Sequence, residues 1–227
     1  GETLHGLQFQ PHYIRNRATT YYGPYGGGFA LLNHPAYREG RPLSVGVVGL
    51  GVGTLACWGR TNDTFRFFEI NPQVVEAASN TNLFSYLSDS DARVTLALGD
   101  ARKTLASETN TYDVLVIDAY SGDAVPIHLA TREAFQLYFS RLNTNGILAL
   151  HISNWHIDLH PLCKAVGEAH QIPYYGVNSA PAGTWDGASW VFLTHLPLLM
   201  RGQEFRETDW AQVRTIRLPE DDKGSLM

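Results

Sequence analysis

A chain of 227 residues, 44% hydrophobic and 17% charged, is long enough for one large soluble domain and ordinary in composition. Its formal net charge is −5 and it contains no Lys/Arg-rich run, which argues against a nucleic-acid or anionic-membrane surface. Cys57 and Cys163 lie in segments of helical pattern without metal-ligand spacing; both are expected to be reduced, small apolar residues, and no metal is expected. Nothing resembles a signal peptide and no apolar run is long enough to span a bilayer, so a soluble cytoplasmic domain is expected. The opening Gly1-Glu2-Thr3-Leu4 lacks an initiator Met, which leaves two readings, an engineered start or a domain cut from a longer parent.

In chain order, residues 1–40 read as a small β-rich segment. Short strands or a hairpin are expected over Leu4–Gln10, then an aromatic loop with Pro11, Pro24 and Gly26-Gly27-Gly28, and a short helix from Phe29. From residue 41 strands and helices alternate. Strands are expected at Ser44–Leu50, Thr64–Ile70, Arg93–Leu98, Tyr112–Ile117 and Ile147–Ser153. Helices are expected from Thr54, from Asn71-Pro72, over Ala101–Ser107, over Thr131–Leu142 and over Leu159–Ala169, with a turn at Asn143–Gly146. Two closely spaced strands follow, around Tyr174–Val177 and Trp190–Thr194, and residues 201–227 read as a tail. Near-continuous apolar strands alternating with helices predict a parallel sheet covered on both faces, with a C-terminal hairpin.

The first strand runs into Gly49, Gly51 and Gly53, the strand–turn–helix opening of a nucleotide-binding domain. Thr54 stands where a dinucleotide fingerprint needs its third glycine, so a small adenosine ligand fits better than NAD. In such sheets ligands bind beyond the carboxyl ends of the strands. The second strand ends at Glu69, suited to the ribose hydroxyls, or else to capping. The third ends at Asp100, facing adenine or capping the next helix, and the fourth at Asp118. Tyr21, Tyr25, Trp155, Trp190 and His151 are read as packing residues.

The series GLGVGT, FFEINPQVVEAA, LGDARKTL and VLVIDAYSGDAVPIHLATREAFQLY resembles the spermidine synthase (polyamine aminopropyltransferase) family. It is most similar to the bacterial spermidine-synthase-like proteins, which are often fused to a membrane domain. The resemblance runs from about Leu4 to Thr194. It implies a seven-stranded, Rossmann-like class I methyltransferase fold with a C-terminal antiparallel hairpin. It also implies an S-adenosylmethionine-type co-substrate, decarboxylated in true aminopropyltransferases, a putrescine-like amine acceptor, methylthioadenosine as product, and a homodimer. By position, Gly49, Gly51, Gly53, Glu69, Ile70, Asp100 and Ala101 would hold the adenosyl ligand, with Gln8 a looser match. Asp118, Tyr22 and Asp123 would be catalytic; Tyr120, Trp185 and Asp186 would meet the acceptor.

The chemistry asks for these groups independently. An aliphatic amine is protonated at neutral pH, so a carboxylate must hold it and take or relay a proton. Aromatic walls suit a sulfonium and an ammonium. Three departures from the family stand out: Val52 replaces an aspartate that contacts the adenosyl ligand's amine end, Tyr22-Gly23-Pro24 replaces Tyr-His-Glu and loses two polar groups of the amine site, and Ser121 stands where a second aspartate is usual. An S-adenosylmethionine-dependent methyltransferase and a non-catalytic adenosyl-ligand domain are therefore the alternatives.

Overall fold

Two strands buried on both faces form the centre of the molecule. In the computed structural model, which describes residues 6–119, 126–153, 157–181, 183, 185–198 and 205–221, Val45, Val47 and Val48 of β1 (Ser44–Val48) are at most 1% exposed. Val114 to Ile117 of β4 (Tyr112–Ile117) are wholly buried. Around them lie β2 (Thr64–Glu69), β3 (Arg93–Leu98), β5 (Leu142–His151), β6 (Tyr174–Ser179), β7 (Ala188–Leu193) and β8 (Phe205–Glu207). The sheet order is β3-β2-β1-β4-β5-β7-β6-β8. Strands β1 to β5 pair in parallel, and β7 and β6 add antiparallel. The chain moves outward from β1 to β3 and then returns to the other side of β1 as β4. That reversal opens a crevice above β1 and β4, where α/β sheets bind ligands.

Among the described residues, six α-helices accompany the sheet: α1 (Phe29–Asn33), α2 (Pro35–Arg38), α3 (Pro72–Ser79), α4 (Ala101–Ser107), α5 (Arg132–Ser140) and α6 (His160–His170). One apolar layer gathers Phe135, Tyr138, Cys163 and Val166; the other gathers Leu31, Leu55, Phe65 and Trp190. The helix starts follow from their caps. Asn71, Asp100 and Thr131 each accept a backbone N–H from the first turn of α3, α4 and α5, and Pro72 needs no N–H at the first position of α3.

The structure departs from the sequence expectations in four places. Residues 6–28 form turns and a single 3-10 turn (Thr20–Tyr22), with no strand. Side chains anchor this segment in place of a ladder: Thr19 and Tyr86 hydroxyls donate to the Leu7 carbonyl. Thr54–Trp58 is a five-residue 3-10 turn ending at Gly59, so no α-helix follows the glycine turn. Strand β5 begins at Leu142, because Leu142 pairs with Tyr112 and the expected turn at Asn143–Gly146 is absorbed as an irregularity before Ile147 pairs with Val114.

Residues 205–221, expected as part of a tail, pack onto the domain. Strand β8 pairs with β6, giving an eighth strand, and Leu218 is buried against the layer of α5 and α6. Lys164 donates to the carbonyls of Trp210 and Val213, and Arg132 N–H to that of Pro219. Arg102 pairs with both carboxylate oxygens of Asp221. Among the described residues, no helix is long and apolar enough to cross a membrane.

Candidate active site

The crevice above β1 and β4 is a cleft of about 590 Å³. Gly49, Gly51, Glu69, Asp100, Asp118 and Tyr22 all line it, so five strand-end residues predicted from sequence and one from the N-terminal loop converge there. Gly49 is fixed by the protein's own backbone. Its φ is +97°, and a Cβ there would lie 2.2 Å from the Asp118 carbonyl oxygen. Only glycine lets β1 turn this close to β4.

One end of the cleft has the character of a nucleoside site. Glu69 accepts the N–H of Leu50 through one oxygen (3.0 Å) and that of Asn71 through the other (2.8 Å). The carboxylate thus ties the glycine turn to the start of α3, and each oxygen keeps a lone pair for a ligand hydroxyl. Ile70 lines the rim with 66% of its surface exposed, an apolar face that a base could cover. Opposite stand Pro126, His128 and Leu129. Asp100 has the capping role read from sequence and also borders the cleft. It caps α4 through one oxygen (2.9 Å to Lys103 N) while lining the cleft with Ala101, and its other oxygen lies 3.4 Å from His128 Nε2. Arg102 secures that wall by donating to the His128 carbonyl at 3.0 Å.

The other end is built on Asp118, whose side chain is only 6% exposed. The Tyr22 hydroxyl donates to Asp118 Oδ2 at 2.7 Å, and His151 Nδ1 lies 2.7 Å from Oδ1. The His151 ring stacks between Tyr21 (centroids 4.2 Å apart) and Trp190 (4.7 Å). Burial, and then the Asp118 charge, push the Tyr21 and Tyr22 hydroxyls well above the ordinary phenol range. Both stay protonated, so Tyr22 acts as a donor to Asp118. A carboxylate offers about four acceptor positions, of which Tyr22 takes one and His151 faces another.

Four predicted site residues lie elsewhere. Gly53 (φ +82°) turns the chain into the 3-10 turn and packs on Leu87 instead of lining the cleft. Gln8 spends its amide on structure: its nitrogen donates to the Arg15 carbonyl and Ser85 Oγ, and its oxygen accepts Ser85 N–H. Trp185 donates to the Ala18 carbonyl, and with Asp186 it lines a small separate indentation that meets the cleft's lining at Tyr21. Tyr120 and Asp123, like Trp155, fall outside the described residues. Conversely, His151 and Tyr21 were expected only to pack, and His128 was not singled out. The available signal was that His151 ends its strand as Asp118 ends the neighbouring one.

No protein-family model matches the chain. Among curated proteins it is similar to the polyamine aminopropyltransferase of Methanocaldococcus jannaschii, 25% identical over 166 residues that cover 68% of this chain and 57% of that protein. It is also similar to the probable polyamine aminopropyl transferase of Bifidobacterium longum, 26% identical over 112 residues, 47% of this chain and 23% of that protein. The chain therefore spans just over half of the first relative and a minor part of the second. Among solved structures it is similar to a probable spermidine synthase from Corynebacterium glutamicum, with TM-score 0.60, 17% identity and coverage of 88% of this chain and 79% of that one. It is also similar to human methyltransferase-like protein 13 in complex with SAH, with TM-score 0.55, 24% identity and coverage of 78% and 82%. At these identities the structural likeness speaks for the fold alone, the Rossmann-like fold of class I methyltransferases. In sequence the chain is thus similar to polyamine aminopropyltransferases, and in fold to a probable spermidine synthase and a methyltransferase-like protein.

Proposed function

We propose that the chain is an aminopropyltransferase-like enzyme that moves an aminopropyl group from decarboxylated S-adenosylmethionine to a small amine, releasing methylthioadenosine. The observation that carries this reading is the Asp118 carboxylate beside the glycine turn, held by Tyr22 in the same cleft as Glu69. A sulfonium nucleoside needs a ribose anchor, a close-approaching backbone and no diphosphate site. Glu69 supplies the first and Gly49 with Gly51 the second. The 3-10 turn after Gly53 lacks the α-helix N-terminus that a pyrophosphate would use.

At Asp118 the acceptor arrives as an ammonium, because an aliphatic amine resembles Lys in basicity, with a pKa of about 10.4. The carboxylate binds the cation through its free lone pairs and takes or relays one proton. The neutral nitrogen then attacks the carbon next to sulfur. A C–N bond forms, the C–S electron pair goes to sulfur, and the positive charge passes from sulfur to nitrogen. Tyr22 keeps the carboxylate aimed at the cleft throughout.

A methyltransferase reading draws on one specific observation. The cleft's nucleoside end would serve S-adenosylmethionine equally, and the fold is shared with a methyltransferase-like protein. Incubation of the purified protein with each donor and an amine panel separates the two by their nucleoside products. Methylthioadenosine from the decarboxylated donor supports aminopropyl transfer; S-adenosylhomocysteine from the intact donor supports methyl transfer.

A further inference from the structure

Resting on the transfer reading above, we propose that His151 is the positioning residue of the acceptor site, fixing the reactive carboxylate through an Nδ1–H donated to Asp118. An ionised carboxylate can only accept, so a 2.7 Å separation between Nδ1 and Oδ1 places a hydrogen on Nδ1. Tyr22 donates to the other oxygen from the N-terminal 3-10 turn, while His151 approaches from the end of β5. With one donor on each oxygen, the carboxyl group cannot rotate without losing a charge-assisted hydrogen bond.

The ring itself is held. Tyr21 and Trp190 both lie at 22° to its plane, one on each face, and the side chain is 8% exposed. Among the described residues, buried His151 Nε2 has no hydrogen-bond partner, so none of them receives a hydrogen there. The slot therefore suits the Nδ1–H tautomer. The Tyr21 and Tyr22 hydroxyls face the dyad, the Asp186 carboxylate acts on Tyr21 from beyond it, and β7 presents Trp190. His151 does not line the cleft, which separates its task from that of a group touching substrate.

Two variants divide the donor from the stack. His151→Phe keeps an aromatic ring between Tyr21 and Trp190 but removes the hydrogen; His151→Asn keeps an N–H near the Nδ1 position but gives up the stack. The expected result is a fall in kcat of about 10²-fold for His151→Phe, as misplacement of a reacting group costs. The adenosyl donor's affinity should stay unchanged, and His151→Asn should recover at least part of that loss. A fully active His151→Phe beside an impaired His151→Asn would overturn the proposal in favour of packing alone. Nitrogen NMR of the wild-type imidazole decides the question without turnover. A protonated Nδ1 at neutral pH that shifts in Asp118→Asn supports the proposal, and an unprotonated Nδ1 overturns it. If no donor yields product, the transfer reading fails while the imidazole spectrum still settles how His151 holds Asp118.

Discussion

Asp118 and His151 meet at 2.7 Å because the strands that carry them are parallel and in register. Ile117 pairs with Leu150, so the next residue on each strand emerges at the same level of the crevice. One step of register would send one of the two side chains to the other face of the sheet. The dyad is therefore a product of the β4–β5 ladder, and its chemistry inherits the stiffness of the two strands.

Replacing Asp118 by Asn keeps the shape and removes the charge. Transfer should fall by about 10²–10⁴-fold, the usual contribution of a positioned acid or base. Binding of the adenosyl donor, measured by calorimetry, should change little, since Glu69 and the glycine turn remain. Equal loss of binding and turnover would place Asp118 in donor binding instead.

Glu69→Gln should act in the opposite way. It weakens the ribose end and makes one of the two backbone contacts, to Leu50 or Asn71, unfavourable. Hydrogen bonds to a charged group contribute about 1.5–3 kcal/mol, so donor affinity should drop roughly 10- to 100-fold with a smaller effect on kcat. Unchanged affinity would remove Glu69 from the site.

Gly49→Ala should be damaging for a reason unrelated to ligand. Its backbone lies at φ +97° and a Cβ would meet the Asp118 carbonyl oxygen at 2.2 Å. The left-handed conformation alone costs about 1–2 kcal/mol, before the clash. A thermal melt should show a fall of several degrees, and a wild-type Tm would contradict the close approach of β1 and β4.

Three of the strand-end carboxylates were legible because each follows an apolar strand with a clear boundary: Glu69, Asp100 and Asp118. The caps at Asn71 and Asp100 were legible for the same local reason. His151 was not. A single histidine ending an apolar strand usually packs, and the register that brings it to Asp118 is a non-local property. Strand β8 escaped detection because a three-residue edge strand exists only through its pairing with β6. Gln8 was a loose match, by resemblance alone, to a ligand-contacting glutamine, and its amide holds the N-terminal segment to Ser85.

The C-terminal segment gives a pH-dependent stability term. Hydrogen bonds from Arg102, reinforced by its charge, hold the Asp221 carboxyl below the ordinary carboxylate range. A depressed folded-state value contributes stability above the unfolded value of about 3.9 and loses it as pH falls through the folded value. Asp89 behaves likewise, where the Arg15 pairing outweighs burial. Asp221→Asn should therefore be less stable than wild type at neutral pH, with the gap closing as pH falls below about 4. A gap that stays constant down to pH 2 in thermal melts would contradict a charge-dependent anchor.

The most direct test follows the group that moves. The purified protein is given decarboxylated S-adenosylmethionine labelled in its aminopropyl chain, with putrescine and a panel of other small amines, and the amines are weighed by mass spectrometry. The expected result is an acceptor that gains the labelled aminopropyl group in step with methylthioadenosine, and a sharply reduced gain with Asp118→Asn. Tight binding of the labelled donor with no amine gaining mass, or methyl transfer from intact S-adenosylmethionine in its place, would contradict aminopropyl transfer.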